Sequence, residues 1–160
     1  MSVKVAIETP LQDDVRGLVG KLNAHLLPLS PPEFQFKMTV EQMAGEDTTL
    51  FVARDEAGHA VGMGALKLHG QGLGEVKRMF TDPEMRGQRI GSAVLDAIIE
   101  LAHRKGLNCV MLETGVGSGF EGAYRLYASR GFVTRGAFLD YPDSQWSAFF
   151  ELPLAQEISA

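Results

Sequence analysis

The segment Arg86-Gly87-Gln88-Arg89-Ile90-Gly91-Ser92 carries the strongest chemical signal in the chain. It follows a run of β-formers and the turn Asp82-Pro83, and it opens directly into an apolar stripe of helical period. A helix N-terminus presents backbone N–H groups that the helix itself does not use, and its dipole favours negative charge. Glycines let an anion approach the backbone closely, and Arg86 and Arg89 add charge-assisted donors for phosphate oxygens. The pattern predicts an anion site. The ordinary alternative is a loop whose glycines merely start a helix, because short glycine motifs recur by chance. Other phosphate motifs fit poorly. No glycine is followed, four residues on, by Gly-Lys-Ser/Thr. Gly115-Val116-Gly117-Ser118-Gly119-Phe120 has Phe120 where a dinucleotide fold needs its third glycine, so it reads as a flexible connection beside a pocket.

Metal chemistry has little to build on. His25, His59, His69 and His103 lack ligand spacing, so surface or hinge positions are the default and no metal is expected. His25 is the exception, because it precedes the proline-rich stretch 28–32. Cys109 sits in an apolar run and reads as an inert core thiol.

These residues need elements to position them. Residues 3–8 alternate as a strand, and Thr9-Pro10-Leu11-Gln12 reads as a capped helix start with Gln12 closing a capping box. Val15, Leu18, Val19, Leu22 and Leu26 continue at helical spacing until the prolines end the helix. A short helix over 40–44 precedes three strands at 48–54, 60–68 and 75–81, joined by turn residues. The period then changes. A long helix over 90–103, a strand at 109–114, a helix over 119–130 and strands from 132 and 147 follow. Such alternation implies a partly parallel sheet covered on both faces. Neither an internal repeat nor a linker divides residues 1–160, which read as a single domain.

The run Glu75-Val76-Lys77-Arg78-Met79-Phe80-Thr81-Asp82-Pro83-Glu84-Met85-Arg86-Gly87-Gln88-Arg89-Ile90-Gly91 resembles the acetyl-coenzyme A motif of the Gcn5-related N-acetyltransferases (GNAT family), Arg/Gln-x-x-Gly-x-Gly/Ala after a strand. Ala123-Tyr124-Arg125-Leu126-Tyr127-Ala128-Ser129-Arg130-Gly131-Phe132 is similar to the second signature, a Leu-Tyr helix followed by Gly-Phe. The likeness covers about residues 48–150 and reaches the first part by topology. Two positions depart from the pattern: Arg89 replaces the inner glycine, and Phe120 stands near a frequent asparagine.

The resemblance implies a mixed, mostly antiparallel seven-stranded sheet flanked by helices, splayed between the strand ending at Thr81 and the strand around 109–114. Acetyl-CoA would enter that gap as co-substrate, held by Met79, Phe80, Thr81, Arg86, Gly87, Gln88, Arg89, Ile90, Gly91 and Ser92. A backbone N–H near Met79 would polarise the thioester carbonyl. An amine would attack directly, and Tyr127 would protonate the departing thiolate. Glu75 and Glu113 are the candidates to take the amine's proton, with Glu75 slightly preferred. Alternation places Glu113 with Met111, opposite Val110 and Leu112, so desolvation should raise its pKa. Structural ion pairs with Lys77 and Arg78 are the ordinary alternative for both. Lys77, Arg78 and Arg135 could hold a carboxylate on a small amine or amino-acid-like substrate, and 138–142 could line the acceptor pocket or cap the core edge. The family also implies a homodimer.

Composition narrows the alternatives. The chain has 160 residues, 45% of them hydrophobic and 22% charged, which excludes a disordered acidic chain. Its net charge of -5 argues against general binding to nucleic acid or anionic membranes. A lone cysteine excludes an internal disulfide framework, and no basic, apolar leader opens the chain, so a cytoplasmic location is expected. The expected function is N-acetylation of a small-molecule amine. Rival readings are a non-catalytic acyl-CoA sensing domain, acetylation of a peptide or protein amine, and a nucleic-acid module built on Lys77, Arg78, Arg86 and Arg89.

Overall fold

Side chains of successive strand residues point to opposite faces, and that alternation here sorts the apolar residues into two cores. Leu50, Val52, Met63, Ala65 and Phe80 face one side, and Phe51, Ala53, Val61, Leu66 and Val76 the other. The computed structural model describes residues 3–85 and 89–154. Its elements run β1 (Lys4–Ile7), α1 (Asp13–Leu26), α2 (Val40–Met43), β2 (Thr48–Arg54), β3 (Ala60–Leu68), β4 (Leu73–Thr81), α3 (Ile90–Arg104), β5 (Cys109–Gly115), α4 (Glu121–Ser129), β6 (Val133–Arg135) and β7 (Ser147–Pro153). They form one seven-stranded sheet in the order β1-β2-β3-β4-β5-β7-β6. The β4–β5 pair is parallel and the other pairs are antiparallel, as expected for a mixed sheet.

Helix α1 packs Val15, Leu18, Val19 and Leu22 on the first face, and α3 packs Ile90, Val94, Leu95 and Ile98 on the second. Helix α3 approaches β3 closely because Gly62 and Gly64 lie beneath it. A Cβ on Gly62 would fall 2.5 Å from Ile90 Cγ2, and one on Gly64 would fall 2.8 Å from Val94 Cγ1. Larger residues there would push the anion-motif helix off the sheet.

The start of α1 differs from the expectation. Thr9 Oγ1 accepts from the Leu11 N–H at 3.1 Å, and the Gln12 amide donates to the Thr9 carbonyl and to Glu8 Oε1. Those bonds close a turn, so the helix begins at Asp13 without a side-chain cap, with Asp13 and Asp14 in its first turn. A capping box does occur, but at α2, between Thr39 and Gln42. Among the described residues, no helix is long and apolar enough to cross a membrane.

Candidate functional site

Strands β4 and β5 pair through three registers, Leu73 with Cys109, Gly74 with Val110 and Glu75 with Met111. Beyond Glu75 they part. Strand β4 continues along β3 to Thr81, and β5 continues along β7 to Gly115. The facing edges leave backbone groups available, and a cleft of about 510 Å³ opens between them. Residues from α1, β4, the start of α3, the end of β5 and α4 line it.

A bulge shapes the β4 side. Met63 pairs with Phe80 while Ala65 pairs with Lys77, so Arg78 and Met79 together oppose Gly64. Arg78 takes φ +57, which turns the strand locally and re-aims its neighbours. Met79 then packs with the α3-side core and Phe80 with the α1-side core. At the other end, Arg89 caps α3 in the left-handed conformation, φ +60, without a side-chain cap. The glycine of the family pattern falls on this position. Left-handed backbone costs a side-chain-bearing residue about 1–2 kcal/mol, which is the physical reason for glycine there. The first turn of α3 has no acidic residue, so its free N–H groups face no competing carboxylate from that turn.

Two carboxylates stand on either side of the point where the strands part. Glu113 borders the cleft, accepts a hydrogen bond from Ser147 Oγ at 2.7 Å, and has its pKa raised chiefly by burial. Glu75, 2% exposed, lies outside the cleft lining. Its Oε1 is 2.8 Å from His69 Nε2, and its Oε2 accepts from the Tyr141 hydroxyl. Lys77 Nζ sits 3.5 Å from the same oxygen and donates to the Tyr141 hydroxyl at 2.8 Å.

The tyrosines divide in the same way. Tyr127 borders the cleft and packs its ring on Phe132 and Phe150, with centroids 5.6 and 6.2 Å away. Its hydroxyl has no hydrogen-bond partner among the described residues. Burial, reinforced by the charge of Glu113, pushes its pKa well above the ordinary tyrosine value. Tyr124, one turn earlier, donates to the Gly115 carbonyl and braces the end of β5.

Of the sequence-predicted cofactor residues, Met79, Phe80, Thr81, Arg89, Ile90 and Gly91 line the cleft. Ser92 follows in the first turn of α3, and Arg86, Gly87 and Gln88 lie outside the described residues. Phe120 also lines the cleft, its ring filling the space where Gly115 lacks a Cβ. His25 borders the cleft, whereas Arg135 is paired with Glu151 at 2.7 Å on the far edge of the sheet. Tyr141 and Phe138 cap the core edge, Phe138 edge-on to Phe149. Sequence reasoning missed the roles of His69, Asn23 and Ser147. His69 departs from the surface default, with only 17% of its side chain exposed against Glu75. Its six-residue separation from Glu75 across the β3–β4 turn was the available signal.

The geometry agrees with what the chain is similar to. Residues 21–132 match the model of the acetyltransferase (GNAT) family. An IAA acetyltransferase of Azospirillum brasilense is 40% identical over 96% of this chain and 99% of its own length. A Klebsiella pneumoniae chain, assigned to the acyl-CoA N-acyltransferases, superposes with a TM-score of 0.78 at 30% identity, covering 96% of this chain and 98% of that one. The PaiA N-acetyltransferase of Thermoplasma acidophilum, solved with coenzyme A, shares the fold with a TM-score of 0.74 at 15% identity, covering 96% of this chain and all of that one. A cleft opened by two parting strands, a helix start that lines it and these relatives lead to one assignment: the chain belongs to the GNAT family of acetyl-CoA-dependent N-acetyltransferases.

Proposed function

We propose that the protein moves an acetyl group from acetyl-CoA to the primary amine of a small molecule by direct attack within a ternary complex. The observation that carries this reading is the pairing of Glu113 and Tyr127 in the cleft where β4 and β5 part. The residues present fit a long, anionic thioester. Two open strand edges suit a chain of amides, and the α3 start offers free N–H groups to phosphate. Met79, Phe80, Thr81, Arg89, Ile90, Gly91 and Ser92 would hold it, joined by Arg86, Gly87 and Gln88. Acetyl-CoA supplies the activated carbonyl carbon and a thiolate leaving group.

The chain's own groups then move two protons. Glu113, its pKa raised by burial, takes a proton from the attacking amine, directly or through one water. The backbone N–H of Met79, at the bulge, donates to the carbonyl oxygen as negative charge builds there. Tyr127 stays protonated at neutral pH and passes its proton to the sulfur as the carbon–sulfur bond breaks. Nitrogen loses one proton and sulfur gains one, so the reaction balances. Glu75 serves as a positioning residue, because Lys77, Tyr141 and His69 already surround it. The name of the Azospirillum relative supports a small-molecule acceptor over a peptide or protein amine.

The test is a thermal melt with acetyl-CoA, coenzyme A and NAD side by side, followed by an amine screen read by thiol release and product mass. Stabilisation by both coenzyme A species, with acetylated amine as product, is expected. Binding without turnover of any amine would favour the sensing domain instead.

A further inference from the structure

Three cations were candidates for holding an acceptor's anion, and the structure separates them. Arg135 pairs with Glu151 at the sheet edge, and Lys77 pairs with Glu75 while donating to the Tyr141 hydroxyl. Arg78 is different. It is 8% exposed, it lines the cleft, and no carboxylate pairs with it among the described residues. One guanidinium nitrogen donates to Asn23 Oδ1 on α1, while the buried Nε has no partner. Burial alone pulls its pKa down to about 10, which leaves it charged at neutral pH.

A buried, unpaired guanidinium is costly, and proteins normally satisfy one with an anion. A second buried polar atom without a partner belongs to Gln35, which also lines the cleft. The Gln35 side-chain nitrogen donates to the carbonyls of Leu26, Leu27 and Ser30, which fixes the orientation of the amide. Its Oε1 is thereby left buried without a donor. The cleft thus holds a cation without an anion, against apolar walls from Leu22, Phe34, Phe36 and Phe80.

We propose that the acceptor is an amine that also carries a carboxylate, an amino acid or a close analogue, with its carboxylate on the Arg78 guanidinium. This rests on the acetyl-transfer reading and narrows its substrate class. The planar fork of arginine suits a carboxylate because it offers parallel donors, which a lysine cannot.

The experiment is a thermal melt of the full chain with coenzyme A present, against free and N-acetylated amino acids and their carboxamide counterparts. Carboxylates should raise the midpoint and carboxamides should not. In acetyl-transfer assays the carboxylated amine should be preferred by roughly 10–100-fold in kcat/KM, the scale of a buried charge-assisted pair. Arg78→Gln should erase that preference while the stabilisation by coenzyme A alone persists, and Arg78→Lys should keep part of it. Should Arg78→Gln fail to fold, the carboxylate-to-carboxamide comparison on the unaltered chain still decides. Equal response to carboxamides, or no response to any carboxylate while coenzyme A binds, overturns the proposal. Absence of stabilisation by coenzyme A would instead sink the acetyl-transfer reading, and this proposal with it.

Discussion

Glu75 with Tyr141 and Glu113 with Tyr127 are two carboxylate–tyrosine sets built a few residues apart on neighbouring strands, and they are finished differently. In the first set every polar atom is engaged: His69, Lys77 and Tyr141 enclose Glu75, and Lys77 donates back to the tyrosine. In the second, Glu113 keeps a single side-chain donor, Ser147, and the Tyr127 hydroxyl has no partner among the described residues. Each set joins one buried member, Glu75 or Tyr127, to a half-buried one, Tyr141 or Glu113, so burial alone does not separate them. A saturated polar network rigidifies, whereas an unsatisfied one beside a cleft can exchange protons with a ligand.

The contrast can be broken at several points. Tyr127→Phe should have the largest effect, a fall in kcat of roughly 10²-fold or more, the lower range for a general acid, with coenzyme A affinity and melting midpoint little changed. Steady-state kinetics beside a melt would decide it, and unchanged kcat would end the general-acid role. Glu113→Gln should cost less, roughly 10–10²-fold, because an amine can also arrive already deprotonated. The raised pKa of Glu113 sets the sign of its pH dependence. The carboxyl is protonated and idle at low pH, so kcat/KM should climb as pH rises through that pKa, later than for an ordinary carboxylate. The Gln variant should lose that limb.

Tyr141→Phe should act on stability instead, lowering it by about 1–3 kcal/mol through the donor withdrawn from Glu75, with kcat largely retained. Chemical denaturation would measure this, and a collapse of kcat at unchanged stability would merge the two sets into one. Ser147→Ala should be the subtlest. The serine hydrogen bond favours the charged form of Glu113, so its removal should move the rising limb to still higher pH. A shift in the opposite direction would mean that Glu113 does not control the limb.

Much of the scaffold was legible from residue types alone. Strands β2 and β3 announced themselves through β-forming residues between turn residues, and helix α3 through its apolar period, because both are local information. The strand insertion that puts β7 between β5 and β6 was not, since nothing in Ser147–Pro153 encodes its neighbours. The left-handed Arg78 carried no glycine to mark the bulge, so the switch of face after Lys77 was invisible. The enclosure of Glu75 was hidden for a related reason. Its partner Tyr141 lies 66 residues away, and an ion-pair network of that span exists only after folding. Arg89 was the opposite case: the sequence marked it as standing in a glycine position, and the structure supplied the left-handed backbone behind that mark.

The parting of β4 from β5 also has a mechanical side. Three register pairs hold the β1-β2-β3-β4 half of the sheet against the β5-β7-β6 half, with Glu75 and Met111 as the last rung. A sheet so nearly divided is a zipper left open at one end, and a ligand that bonds to both edges supplies the missing teeth. Such a ligand acts as an extra strand: it bridges the two edges, and amides at the seam should exchange with solvent more slowly once it is in place.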